Sequence, residues 1–136
     1  MSLVDKLMAV DKGTLLNKET AEIKVKTLSK ILGEDVSVKV KALEPDVYIS
    51  ISTNILDKNG NTDYSKTYDL AALLCVEAMT EPNLKDKDLQ KHFGCVTPKE
   101  LAKLLFKGTE LTDISSKISE ISGFGRETEE EDEVKN

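Results

Sequence analysis

"SKTYDLAALLCVEAMTEP", Ser65 to Pro82, decides how the rest of the chain is arranged. From about Lys66 to Met79 its apolar residues leave almost no polar face. A helix that is greasy nearly all round belongs at the centre of a fold, not on its surface. Pro82 has no N–H with which to continue the helix and limits it on that side. Cys75 sits inside "LAALLC" and reads as a small buried hydrophobe. Everything else must pack around residues 66–79.

Working downstream, "KDKDLQKHFG" (85–94) is a short helix closed by Gly94. "TPKELAKLLFKG" (97–108) has Thr97 as N-cap, Pro98 at the first helical position, Glu100 two residues later and Gly108 beyond the end. These positions agree with a capping box and a glycine stop. Leu101, Leu104 and Leu105 form its core face. In "LTDISSKISEISGFG" (111–125) the apolar residues Leu111, Ile114, Ile118 and Ile121 are spaced three, four, three. They give a helix from about Glu110 to Ser122, ended by Gly123 and Gly125 around Phe124. Its apolar seam is only one residue wide. Such a seam has two readings: it packs on Leu101, Leu104 and Leu105 in its own domain, or, with Phe124, it grips another polypeptide as helix anchors at i, i+3, i+4 and i+7.

Working upstream, "EIKVK" (22–26) and "VSVKV" (36–40) alternate apolar and polar residues, as half-buried strands do. "TLSKILGED" between them puts Leu28, Ile31 and Leu32 at helical spacing before Gly33. The pair is expected to be antiparallel, with a helical turn in the connection. Residues 2–10 form a short helix with Leu3, Leu7 and Val10 on one side. "LEPDVYISISTNILDKNG" (43–60) supports two readings. Val47, Ile49 and Ile51 alternate as in a strand, whereas Pro45 suits a first helical position and Val47, Ile51 and Ile55 recur every four residues. The expected class is α+β, mainly α: a short β-hairpin-like element followed by a compact bundle of four to five helices, in one domain spanning residues 1–125.

The 136 residues are 39% hydrophobic and 32% charged, which suits a globular chain with a wet surface. No apolar run approaches the roughly 20 residues that span a bilayer, and Asp5, Lys6, Asp11 and Lys12 interrupt any secretory signal at the start. The cytoplasm is the expected compartment. Net charge is −6, of which the six acids against Arg126 and Lys135 in residues 126–136 supply −4. That stretch has too little apolar surface to repay the entropy of ordering and is expected to be a disordered acidic tail.

Chemistry-bearing patterns are sparse. Cys75, Cys95 and His92, the sole histidine, make no zinc pattern. The close pair in "HFGC" lacks a third orienting group, and no phosphate-cradling glycine loop or nucleophile elbow occurs. No catalytic residue, metal or cofactor is expected. Residues 85–107 offer a rival reading. Two short helices broken at Gly94 resemble a helix-turn-helix, with Lys99, Lys103 and Lys107 aligned on the second and a local charge of +3. That second helix has no Arg, Asn or Gln to read bases, and the acidic chain as a whole repels phosphate. A small DNA-binding regulator is therefore the alternative.

"TLSKILGED" (27–35), "VKALEPD" (40–46) and "LLFKGTELTDISSKISEISGF" (104–124), in that order around a buried central helix, resemble the XkdN-like phage tail assembly chaperones over about residues 20–124. The resemblance favours a helix from Pro45, although Glu44 stands where a Ser or Thr cap is expected. It implies a non-enzymatic helper from the tail module of a phage, prophage or phage-tail-like bacteriocin. Such a helper binds the tape-measure protein, keeps it soluble, promotes assembly of tail tube subunits on it, and is absent from the finished tail. It also implies a longer frameshifted product as a further partner, this chain being the short form, with homo-oligomers expected too. Leu111, Ile114, Ile118, Ile121 and Phe124 are the partner-binding residues expected on this reading; no membrane partner is expected.

Overall fold

The computed structural model describes residues 1–61 and 63–125; the acidic tail expected at 126–136 lies outside them. Two short helices, α1 (Leu3–Met8) and α2 (Lys12–Leu15), precede strand β1 (Thr20–Lys24). Helix α3 (Lys26–Leu32) leads into β2 (Ser37–Lys41), and α4 (Pro45–Ser52) follows. After two 3-10 turns, Thr53–Ile55 and Tyr64–Lys66, comes the central α5 (Thr67–Ala78), continued directly by β3 (Met79–Glu81). The chain then forms α6 (Lys87–His92), α7 (Pro98–Leu105) and α8 (Thr109–Ile121). The architecture is α+β and mainly α.

Helix α5 is the hub, with Ala71, Ala72, Leu74, Cys75, Val76 and Ala78 all buried. Helices α7 and α8 pack against it from different sides, and α4 leans on it. Alternation in β1 and β2 turns Ala21, Ile23, Val38 and Val40 inward, onto the same core. The strands pair antiparallel with Ile23 opposite Val38 and Ala21 opposite Val40. Ser29 closes the connection: its hydroxyl donates to the Val25 carbonyl at 2.7 Å and accepts the Val36 N–H at 2.9 Å.

One feature differs from expectation, and the two readings of residues 43–60 resolve to the favoured helix. The central helix stops at Ala78, and Met79–Glu81 becomes a third strand, antiparallel to β2 on the side opposite β1. "MTE" is too short to carry a pattern of its own, and Met79 continues the apolar run before it. Lys39 sits on the middle strand and reaches a glutamate on each side, Glu22 at 3.8 Å and Glu81 at 3.5 Å. Helix α4 forms in full from Pro45 without any side-chain cap from Glu44. Pro45 brings a preset backbone angle and no N–H to satisfy, and Asp46 adds an acid in the first turn, which favours the helix end electrostatically.

Candidate functional site

The narrow seam of α8 faces inward. Leu111, Ile114, Ile118 and Ile121 are at most 4% exposed and join the core formed with α5 and the sheet. Of the two readings of the seam, burial within the chain is the one the fold uses, although against α5 and the sheet rather than the expected Leu101, Leu104 and Leu105 face, and the expectation that these four residues anchor a partner is corrected. The cover is chiefly α5, with β1 and β2 alongside it, which the helical spacing alone does not reveal. Two polar ties pin the end of α8. Ser122 accepts the buried Leu43 N–H at 2.9 Å, and Asn17 donates its side-chain amide to the Ile121 carbonyl at 2.7 Å.

Phe124 alone of the expected partner residues reaches the surface, 37% exposed. Its other face is engaged: the ring stacks on Tyr48 with centroids 4.3 Å apart, and the Tyr48 hydroxyl shares a 2.8 Å hydrogen bond with Ser119. Phe124 therefore clasps α4 to the exit of α8 and leaves one edge free.

The larger apolar opening lies elsewhere. An open groove of about 590 Å³ runs between α3, the α6–α7 pair and the adjoining ends of β2 and β3. Leu28, Ile31 and Leu32 form the α3 wall; Leu89 and Phe93 of the α6 segment, with Leu104 and Leu105 of α7, form the other. Val38 and Pro82 contribute from the sheet side. Ile31 is 71% exposed, Leu32 61%, Phe93 46% and Leu104 41%. Its polar lining residues are Thr27, Ser37, Glu81 and Lys107. Thr27 and Glu81 are engaged away from it, the Thr27 N–H donating to Glu110 at 3.1 Å and Glu81 pairing with Lys39.

Sequence reasoning assigned Leu104 to the core face of α7. The structure buries Leu101, Ala102 and Phe106 instead and turns Leu104 into the groove. The signal that would have found the groove is the composition of α3. A seven-residue helix within the connection between two strands carries Leu28, Ile31 and Leu32 when one inward residue would hold it in place.

Two lysines of the expected row, Lys99 and Lys103, are already partnered. Asp69 of α5 pairs with Lys103 and, at 4.0 Å, with Lys99. The hydrogen bond from Lys103 holds the Asp69 carboxyl below the usual carboxylate range, against a smaller opposing desolvation. Lys103 also lies 5.7 Å from the centre of the Tyr68 ring. A helix whose cations are bound to its own fold is poorly placed to track phosphates, and the duplex-binding reading of residues 85–107 loses its main support.

Burial pushes the Cys75 thiol up to about 12, so it is an inert core residue and no nucleophile at neutral pH. His92 is exposed and edge-on to Phe93, with Cys95 half-buried nearby. No group of His, Cys, Asp or Glu among the described residues could hold a metal, and no described helix is long and apolar enough to cross a membrane. The arrangement offers an apolar grip at the surface rather than converging polar groups.

Comparison with known proteins accords with that picture. The family described as phage XkdN-like tail assembly chaperone protein matches residues 4–135. None of the curated proteins matches. The crystal structure of the protein YqbN is similar in fold, with a TM-score of 0.63 at 24% identity, covering 84% of this chain and 92% of that one.

Proposed function

The chain belongs to the XkdN-like phage tail assembly chaperones, and from that premise we propose that it binds the tape-measure protein through the groove between α3 and the α6–α7 pair. A tape measure is a long helical protein whose apolar stripe has no cover before the tube closes round it. The groove matches that need: an amphipathic helix can lay its apolar face between Ile31 and Leu32 on one side and Phe93 and Leu104 on the other. The carrying observation is that these four large side chains stand 41–71% exposed and line one and the same apolar groove.

The magnitudes suit a temporary hold. Burying a large apolar side chain completely is worth roughly 1.5–3 kcal/mol. Four that are already partly covered contribute several kcal/mol between them, and association costs about 4 kcal/mol or more. One groove thus holds one segment weakly, and many copies along a tape measure keep it soluble while each can be displaced by a tube subunit. The free edge of Phe124 is a second contact of the same kind. The role is that of a non-enzymatic helper in the host cytoplasm, with the tail tube protein and a frameshifted long form as further partners.

Co-expression tests this reading. The tape-measure protein should be soluble with the wild-type chain and insoluble with Ile31→Asp or Phe93→Asp, while both variants melt as the wild type does. If both variants solubilise it as well as wild type, the groove is not the client site.

A further inference from the structure

The segment of residues 1–16 presents a second apolar surface that is left exposed among the described residues. Helix α1 is six residues long and fully built at its start, where Ser2 accepts the Asp5 N–H at 3.2 Å and Asp5 accepts the Ser2 N–H at 3.4 Å. Leu3 and Leu7, and Val4 and Met8, are i, i+4 pairs that make one apolar stripe, with Asp5 and Lys6 between them. All four are exposed, at 70, 49, 67 and 82% respectively, and neither α1 nor α2 contains a buried residue. Helices shorter than about 12 residues are marginal alone in water and owe their stability to a packed apolar face. Among the described residues this stripe is left without such a surface.

The groove is a surface of the matching kind, and the fold keeps the two apart within one chain. Asn17 roots the segment at the last turn of α8 through the Ile121 carbonyl. The α3 wall of the groove is tied through Thr27 to Glu110, in the first turn of that helix. The eleven steps of α8 from Glu110 to Ile121 put about 16 Å between the two ties. No residue of 1–16 lines the groove and α1 stays exposed, so the groove is open to the α1 of another copy.

We infer that residues 1–16 of one copy seat α1 in the groove of a second copy, covering the client site until a tape-measure helix displaces it. The inference rests on the groove being the client site, and adds to it a self-made cover. A contact between two different surfaces of the same chain either closes by reciprocal exchange or extends as an open series; both tie the cover to concentration.

Sedimentation equilibrium of the purified full chain is the test. The wild type should show a mass that climbs with concentration to two chains or more. Leu3→Asp/Leu7→Asp should stay at one chain with an unchanged circular dichroism spectrum, and so should Ile31→Asp. Mixing these two variants leaves one intact stripe and one intact groove, and should restore a one-to-one pair. A wild type that remains one chain at every concentration overturns the inference, as does a mixture that fails to pair, and neither result touches the client reading. If the groove variant loses self-association yet still solubilises the tape-measure protein, the contact between copies stands but covers no client site, and the client reading of the groove fails.

Discussion

Helices α3 and α8 carry the same kind of pattern and meet opposite fates. Each places aliphatic residues at helical spacing: Leu28, Ile31 and Leu32 on α3, and Leu111, Ile114, Ile118 and Ile121 on α8. On α8 the seam disappears beneath α5 and the sheet, at most 4% exposed. On α3, Ile31 and Leu32 remain 71% and 61% exposed. Periodicity states that a helix has a face to cover; it does not state what covers it. On α8 the cover is the chain's own core, and on α3 we propose that it is another polypeptide.

The comparison can be broken most decisively at Ile118. A charge there would lie unpaired in the core, which costs more than a domain of this size can absorb, so Ile118→Asp should give an unfolded spectrum. A folded protein that has lost only its partner would show the seam to be an interface after all. A smaller effect is expected at the same helix's exit. Ser122→Ala strands the buried Leu43 N–H and should cost about 1–3 kcal/mol in urea unfolding; no change would mean that water reaches this site.

The wall of the groove that α7 forms is held to α5 by Asp69, and here the effect is smaller still. The hydrogen bond from Lys103 lowers the Asp69 carboxyl from its ordinary value. Its stabilisation is therefore complete at neutral pH and is lost as pH falls through the unfolded and then the folded value, below about pH 4. The Asp69 side chain is 41% exposed, so its pairing is worth at most about 1 kcal/mol. Asp69→Asn should flatten the acid limb of a stability profile by no more than that. At the far end of the scale, Ile31→Asp should leave stability within about 0.5 kcal/mol, as a substitution at an exposed site does. A large loss there would make α3 a second α8.

Much of the scaffold was legible from local chemistry. The Thr97-Pro98 start of α7 holds, with the Thr97 hydroxyl accepting the Glu100 N–H at 3.2 Å. The Glu100 carboxylate reaches back to the N–H of Val96 at 3.1 Å, one residue before the place a capping box predicts. Strands β1 and β2 and the core position of Cys75 followed from alternation and from an all-round apolar helix. Strand β3 did not, because three residues continuing an apolar run have no period of their own. The site was hardest to read. Leu104 differs from Leu101 and Leu105 only in how α7 is rotated against α5, and that rotation is set by tertiary packing. The expected domain boundary and tail at 126–136 concern residues outside those described.

Cross-linking during co-expression with the tape-measure protein tests the central claim most directly. A photoreactive side chain is placed at position 31 in the groove or at position 116 on the exposed side of α8. The account predicts a covalent adduct with the tape-measure protein from position 31 and none from position 116. Adducts from 116 with none from 31 would contradict it.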